Sequence, residues 1–500
     1  MIDLVMKATN DYIAQMPKIQ RKKYGQFFTS KNTATYMAGL FTLDNSKPDI
    51  SILDAGAGSG ILSVALIQRL QEYSWIKKIR IVCYENDPNI IDLLRQNLDI
   101  VRNRSIIPLD IEIREENYIL AQTADYNNML DAEPNPEKYD LVIGNPPYKK
   151  IGKSTPEALS MSDVCYGAPN LYFLFASMGL FNLKDNAEMV YIIPRSWTSG
   201  AYFRQFREKL LGEGALEHIH LFESRDKVFS EESVLQETMI IKVKKTCIKP
   251  ETITITSTDD SDDFTNIRTM IVPYTIVVSG PESYVYLVTN EKEAYTLNCV
   301  NRFQNTLPSI GLRMKTGLTV DFRNWEALRD CGEDDAVPLF YAQHIQEGKV
   351  LFPIGKEHEY IKTSQPGLLQ RNTNYLFVKR FTSKEEHRRL QCGVYLAEQY
   401  PGYSVISTQN KINFITGLKE LSERLVYGLY VLFNSTIYDC YYRILNGSTQ
   451  VNSTEINSMP VPSLSIIEAM GEELIKTNDM SEKACDIILR SYIYGQDRAS

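Results

Sequence analysis

SILDAGAGSGILSVALIQRL, residues 51–70, reads as an apolar strand, a glycine-rich turn and a helix in immediate succession. Up to Asp54 the run is short and apolar; from Ile61 to Tyr73 the apolar residues recur at helical spacing. Between them stands Asp54-Ala-Gly-Ala-Gly-Ser-Gly60. Glycine reaches backbone conformations that other residues avoid, and it lets the chain approach a ligand closely. In nucleotide-binding folds such a turn holds its ligand at a helix N-terminus.

The alternation continues outward from this unit. Residues 79–87 read as a second strand and 88–100 as a second helix, and a third strand falls near 110–114. YDLVIGNPPY, 139–148, is a fourth strand ending in a Pro-rich break. A largely buried helix follows at 171–183, a strand at 187–197 and a helix near 200–212. This order predicts a doubly wound, Rossmann-like α/β domain with a parallel sheet and helices on both faces. Ligands of such sheets bind beyond the carboxyl ends of the strands. The acidic stretch Asp259, Asp260, Asp262, Asp263 reads as a boundary, so the first domain is placed at 1–255. A mixed α/β domain is placed at 256–500, with helices expected over 420–442 and 463–493.

Composition narrows the class. The 500 residues are 43% hydrophobic and 23% charged, as in an ordinary globular protein. The net charge of −8 is at face value poor for a nucleic-acid binder, although net charge says little about the local field. No apolar run is long enough for a membrane span, and the N-terminus lacks a signal-peptide core, so a cytoplasmic protein is expected. Eight cysteines are scattered without a CxxC pair or a nearby His, which predicts reduced thiols, no metal site and no zinc deaminase chemistry. Basic residues gather at Arg21, Lys22 and Lys23, at Lys242, Lys244 and Lys245, and at Lys379, Arg380, Lys384, Arg388 and Arg389. Surface charge is the plain reading of each cluster.

Glu85 ends the second strand at the position of a ribose-binding acid, where one carboxylate can accept from both ribose hydroxyls. On these residues alone, a nicotinamide dinucleotide and S-adenosylmethionine are both admissible. Asn145-Pro-Pro-Tyr148 then adds chemistry. An exocyclic aromatic amine is a poor nucleophile because its lone pair is delocalised into the ring. Acceptors for its protons, such as the Asn145 side chain and the Pro146 carbonyl, pull the nitrogen toward a tetrahedral shape. Two prolines, Pro146 and Pro147, fix φ and hold those carbonyls without reorganisation. Tyr148 offers a ring on which a base can stack.

With these motifs in this order, the chain resembles the gamma class of N6-adenine DNA methyltransferases, the TaqI-like enzymes of restriction–modification systems. KYGQFFTS (23–30) resembles their N-terminal cofactor motif, DAGAGSG their cofactor loop, YEND (84–87) their ribose segment and NPPY their catalytic motif. Asn170-Leu-Tyr-Phe resembles the start of their next helix, and Lys227-Val-Phe-Ser the segment carrying a second base-stacking ring. The resemblance implies S-adenosylmethionine as cofactor, contacted by Tyr24, Gln26, Phe28, Thr29, Asp54, Ala55, Gly56, Gly58, Glu85, Asn86, Asn117, Tyr118, Asn145 and Pro147. Asp54 would hold the amino group, Glu85 the ribose, and Tyr118 would pack on the cofactor adenine. Asn117 stands where the family often carries Asp, so its amide oxygen would have to accept from the adenine amine. Tyr148 and Phe229 would sandwich the target base.

More loosely, TGLTVDFR (316–323), VPLFYAQHI (337–345) and the segment 446–452 resemble target-recognition regions of such enzymes. They nominate Arg323, His344, Lys379, Arg380, Asn446, Gly447, Ser448, Gln450 and Asn452 as DNA contacts. Double-stranded DNA is the implied partner, together with a separate restriction endonuclease, since no PD…ExK arrangement is present; monomeric action is expected. Two alternatives stand beside this reading: methylation of RNA or of a protein glutamine, and a non-catalytic DNA-binding specificity subunit.

Overall fold

The computed structural model describes residues 1–15, 28–128, 136–167, 169–222, 238–260, 263–280, 283–332, 335–383, 386–446 and 450–495. The chain divides into two units, Met1–Ser279 with Ser283–Val285, and Gly280–Glu282 with Tyr286–Ser500.

The first unit is built on a nine-stranded sheet: β1 (Asp49–Ala55), β2 (Lys78–Tyr84), β3 (Leu109–Arg114), β4 (Tyr139–Gly144), β5 (Leu183–Pro194), β6 (Ala215–Phe222), β7 (Thr238–Lys244), β8 (Thr252–Thr258) and β9 (Arg268–Pro273). Their order is β3-β2-β1-β4-β5-β7-β6-β8-β9. β3, β2, β1, β4 and β5 run parallel, and β7 is antiparallel between β5 and β6. The order reverses between β1 and β4, which makes their carboxyl ends the switch point where such sheets bind ligands.

Alternation in the strands decides which helix covers which face. Ile52, Ile81, Ile143 and Val190 join one core cluster with α1 (Ile2–Gln15), α2 (Lys31–Gly39), α3 (Ile61–Leu70) and α4 (Pro88–Arg102). Met189 and Tyr191 point the other way, toward the helix Leu171–Phe181. There a Cβ on Gly179 would meet the Tyr191 hydroxyl at 2.9 Å and Met189 Sδ at 3.2 Å. The expected doubly wound α/β fold is what the structure shows. Helix α1 had no counterpart in the sequence reading. It packs on α3 and α4 through Ile2 and Val5, both buried.

The boundary expected at 255 is corrected. β8 and β9 extend the sheet beyond it, so the first unit runs through Ser279. The acidic stretch lies in the connection between these two strands. There Asp263 N–H donates to Asp260 Oδ1 at 2.8 Å, and Arg268 pairs with Asp259 at 2.9 Å.

The second unit holds a six-stranded and a five-stranded sheet plus helices, the mixed α/β architecture anticipated. Its two long predicted helices are each broken. The first becomes Glu423–Phe433 and Thr436–Leu445, because the Ser435 side chain caps a new helix by accepting from Tyr438 N–H. The second becomes Leu464–Thr477 and Glu482–Gly495, with Asn478 in the left-handed region at φ 51°.

Candidate active site

The turn after β1 needs its glycines. Gly56, Gly58 and Gly60 sit at φ +73°, +56° and +80°, and a Cβ on Gly60 would also lie 2.8 Å from Leu94 Cδ1. The turn is fastened to β2, since Gly56 and Ala57 N–H donate to the Tyr84 carbonyl at 2.8 and 3.0 Å. Gly58 N–H donates to Glu85 Oε2 at 2.8 Å, and Asn86 and Asp87 N–H both donate to Oε1 at 2.9 Å. Burial raises the Glu85 pKa, and these three backbone donors work against it. A carboxylate has about four acceptor sites, so this one retains capacity for a hydroxyl.

Asp54 is fully buried. Its Oδ2 accepts from the Ser63 hydroxyl at 2.6 Å, while Oδ1 has no hydrogen-bond partner. Burial pushes its carboxyl up to about 7, and nearby Glu85 adds to the shift. An unsatisfied buried carboxylate oxygen costs about 1–3 kcal/mol, and a cationic group brought to it would relieve that cost.

At the end of β4, Gly144 lets the chain pass Tyr191, whose Cε1 a Cβ would meet at 2.4 Å. Asn145 follows. Its Nδ2 donates to Thr29 Oγ1 at 3.1 Å, and the Tyr148 hydroxyl donates to its Oδ1 at 2.8 Å. That hydroxyl also lies 3.1 Å from the Ile192 carbonyl, giving one proton two acceptors. The Tyr148 ring is 9% exposed and meets Tyr172 edge-on at 6.3 Å. Burial pushes the phenol pKa well up, so it stays a neutral donor.

Beyond β3, Asn117 caps a short helix, Tyr118–Ala121, and its Oδ1 accepts from Ile119 and Leu120 N–H at 3.1 and 3.2 Å. Its Nδ2 donates to Glu157 Oε1 at 2.9 Å. This corrects one expectation, because the Asn117 oxygen is already occupied and cannot receive a ligand amine. Tyr118 is held by its hydroxyl, which donates to Asn182 Oδ1 at 2.7 Å, and by tilted packing on Tyr84 and Phe175.

These strand ends enclose a cavity of about 410 Å³. Among the residues nominated from sequence, Phe28, Gly56, Gly58, Glu85, Asn86, Asn117, Tyr118, Asn145 and Pro147 line it. Thr29, Asp54, Ala55, Pro146 and Tyr148 do not, though Thr29 and Tyr148 are hydrogen-bonded to Asn145 on its wall. Tyr24, Gln26 and Phe229 lie outside the described residues. Lys149, Glu157, Leu171 and Phe175 line the cavity without having been singled out. The motif beginning at Asn170 marked the helix that carries Leu171 and Phe175, but only the packing shows that those two face the cavity.

In the second unit the nominated DNA contacts separate. Arg323 is exposed on a turn beside Phe322, which is 73% exposed, and Lys379 is half-buried. Arg380 and Gln450 come together: the guanidinium donates to the Asn410 carbonyl at 3.0 Å and to Gln450 Oε1 at 3.4 Å. Asn452 precedes the helix Ser453–Ser458, and its N–H donates to the Tyr442 hydroxyl at 3.1 Å. Two nominations are corrected. His344 has no exposed surface, accepts from Tyr341 N–H at 2.9 Å through Nδ1, and lies 3.3 Å from Glu359 Oε2 through Nε2. Asn446 is buried with its amide on Glu455 and on the Gln450 carbonyl. Both are spent inside the unit. Gly447 and Ser448 lie outside the described residues. The basic clusters also turn inward in part, with Lys242 between Glu188 and Glu217 at 3.0 and 3.2 Å and Arg389 fully buried. Sequence reasoning missed a cationic groove where Arg313 and Lys315 stand beside Ser453, Thr454 and Asn457.

Residues 67–229 match the model of the Eco57I restriction-modification methylase family. The type II methyltransferase M.BsuBI of Bacillus subtilis is 34% identical over 469 residues, covering 91% of this chain and 91% of its own. The type II methyltransferase M.PstI of Providencia stuartii is 32% identical, covering 95% of this chain and 93% of its own. Among solved structures, the type IIL restriction-modification enzyme MmeI in complex with DNA aligns with 99% of this chain and 75% of its own at a TM-score of 0.50 and 13% identity, a likeness of fold. The cofactor is S-adenosylmethionine. The residues lining the cavity fit it, with a seated carboxylate, Glu85, for a ribose and aromatic walls, Tyr118 and Phe175, for a base. The chain belongs to the type II methyltransferases of restriction–modification systems.

Proposed function

We propose that this DNA methyltransferase modifies the exocyclic N6 of an adenine within a short duplex sequence, with the base turned out of the stack. The observation that carries this reading is Asn145, held at its Nδ2 by Thr29 and placed on the wall of the cofactor cavity. Bound S-adenosylmethionine supplies an electrophilic methyl group. The rest belongs to this chain. Asn145 Oδ1 and the Pro146 carbonyl accept the two N6 protons and draw the lone pair out of the ring. The Tyr148 hydroxyl, which occupies Asn145 Oδ1 in the free protein, gives way when the amine arrives. Turning the base out costs a few kcal/mol, and stacking on an aromatic ring returns about 1–3 kcal/mol. Tyr148, which lies behind the wall in the free protein, is assigned to one face of the base once it has left Asn145 Oδ1, and Phe229 to the other. Glu85 holds the ribose of the cofactor, while Gly56 and Gly58 keep the loop low enough for it to enter.

For the second unit, Arg323, Lys379, the Arg380–Gln450 pair and Asn452 are assigned to DNA, together with Arg313 and Lys315. The protein acts as a monomer in the cytoplasm, as the modification partner of a separate endonuclease. The test is incubation of unmodified genomic DNA with labelled S-adenosylmethionine, followed by nucleoside analysis and modification-sensitive sequencing. N6-methyladenine confined to one short motif is the expected result. Label in N4-methylcytosine overturns the base assignment, and label only in RNA or protein overturns the substrate.

A further inference from the structure

The strand order lays the cavity out as a line. Asn117 and Tyr118 follow β3, Glu85 follows β2, Gly56 and Gly58 follow β1, and Asn145 follows β4, in the spatial order β3-β2-β1-β4. With the ribose at Glu85 and the reacting end toward Asn145, the cofactor's base falls at the β3 end. This placement rests on the cofactor reading above. Tyr118 stands at that end with Phe175 packed against it at 5.4 Å, and both line the cavity, which suits the faces of a purine. Its edge is a different matter. The six-amino group of adenine is a donor, and a buried donor without an acceptor is costly.

Asn117 cannot be that acceptor, because both lone pairs of its oxygen cap a helix. Its Nδ2 instead points to Glu157 Oε1 at 2.9 Å. Glu157 lies on the helix Pro156–Ser160, is half-buried and lines the same cavity. Among the described residues, no other hydrogen bond or ion pair reaches its carboxylate. We infer that Glu157 reads the six-amino group of the cofactor's adenine, with Asn117 as its positioning residue. A carboxylate presents acceptors only. It receives a six-amino group and repels a six-oxo group, so it selects adenine over hypoxanthine. The pairing also gives a reason for an amide at 117. Asp would cap the helix equally well but would set a second carboxylate against Glu157. The acceptor in this chain thus stands on a helix some forty residues after the loop that follows β3, and the amide at 117 holds it in place.

The experiment is calorimetric binding of S-adenosylhomocysteine and of its six-oxo (inosine) counterpart to the full chain, without DNA or turnover. Wild type is expected to favour the amino ligand by roughly a hundredfold. Glu157→Gln should weaken the amino ligand about tenfold and bring the two ligands to near parity, because a glutamine amide can turn its NH2 to the six-oxo group. Asn117→Asp should weaken the amino ligand as well, and the exchange Asn117→Asp with Glu157→Gln should restore it. Thermal unfolding without ligand checks that each variant is folded. Unchanged affinity and unchanged discrimination in Glu157→Gln overturn the inference and leave the cofactor reading standing. Failure of folded wild type to bind S-adenosylhomocysteine overturns both.

Discussion

The carboxyl edge of the first unit's sheet and the interior of the second unit treat polar residues in opposite ways. At the first, Glu85, Asn117 and Asn145 stand at strand ends with their side chains on a cavity. In the second, His344, Arg389, Asn413 and Asn446 are buried, and His344, Arg389 and Asn446 bond to neighbours inside the same unit. The difference teaches where a polar residue can be read as functional. Beside the switch point of a parallel sheet, the strand ends leave backbone groups and side chains facing a shared space. In a unit of many short strands, loops carry the backbone across the core, and polar side chains are consumed in satisfying it.

The sharpest test of this contrast is Asn145→Ala. If the strand-end amide holds the reacting nitrogen, methylation should slow by about 10²–10³-fold while S-adenosylhomocysteine still binds, measured by single-turnover labelling and calorimetry. Equal loss of rate in a surface-amide control would break the contrast. Next comes His344→Ala. Removal of a buried ring that accepts from Tyr341 N–H should lower stability by about 1–3 kcal/mol, read by denaturant unfolding, with DNA affinity of the folded variant unchanged. A selective loss of DNA binding would return His344 to the interface.

Asp54→Asn sharpens the description of the first unit. The Asp54 pKa is raised from 3.8 to about 7 in the folded protein, so the folded state takes up a proton that the unfolded chain releases earlier. The stability due to that proton is therefore full below about pH 4 and is lost as pH rises toward about 7. Relative to Asp54→Asn, the wild type without cofactor should lose up to about 1.4 kcal/mol per pH unit across that window. Parallel curves from unfolding at several pH values would show that Asp54 is ionised throughout. The smallest expected effect is in the second unit. Arg313→Ala with Lys315→Ala should reduce DNA affinity uniformly over sequences and lower the salt slope by about two, read by titration at several salt concentrations. An unchanged slope would remove the groove from the interface.

Much of the first unit was legible because its signals are backbone signals. Gly56, Gly58 and Gly60 announce positive φ, and Pro146 and Pro147 announce a rigid strand exit; neither depends on what packs nearby. The alternation of strands and helices gave the doubly wound sheet for the same reason. Glu157 was not legible, because its role arises from a hydrogen bond to Asn117 across forty positions of sequence. Helix α1 lies outside the strand–helix alternation that starts at β1, although its Ile2 and Val5 fill the core. The breaks at Ser435 and Asn478 were hidden inside continuous helical patterns. A serine cap and a left-handed asparagine are local events that apolar spacing does not report.

By itself the sequence determined the cofactor and the family: a glycine turn, a strand-end acid and an Asn-Pro-Pro-Tyr exit, in that order, mark an S-adenosylmethionine-dependent DNA methyltransferase. Tertiary structure alone decided which side chains remain available to a ligand. The Asn117 oxygen is spent on a helix cap, the Glu85 carboxylate keeps one acceptor site beside three backbone donors, and the His344 ring is shut inside a core. The physical reason is that a hydrogen-bonding group has few lone pairs and protons. Whether they are free depends on neighbours that only folding supplies.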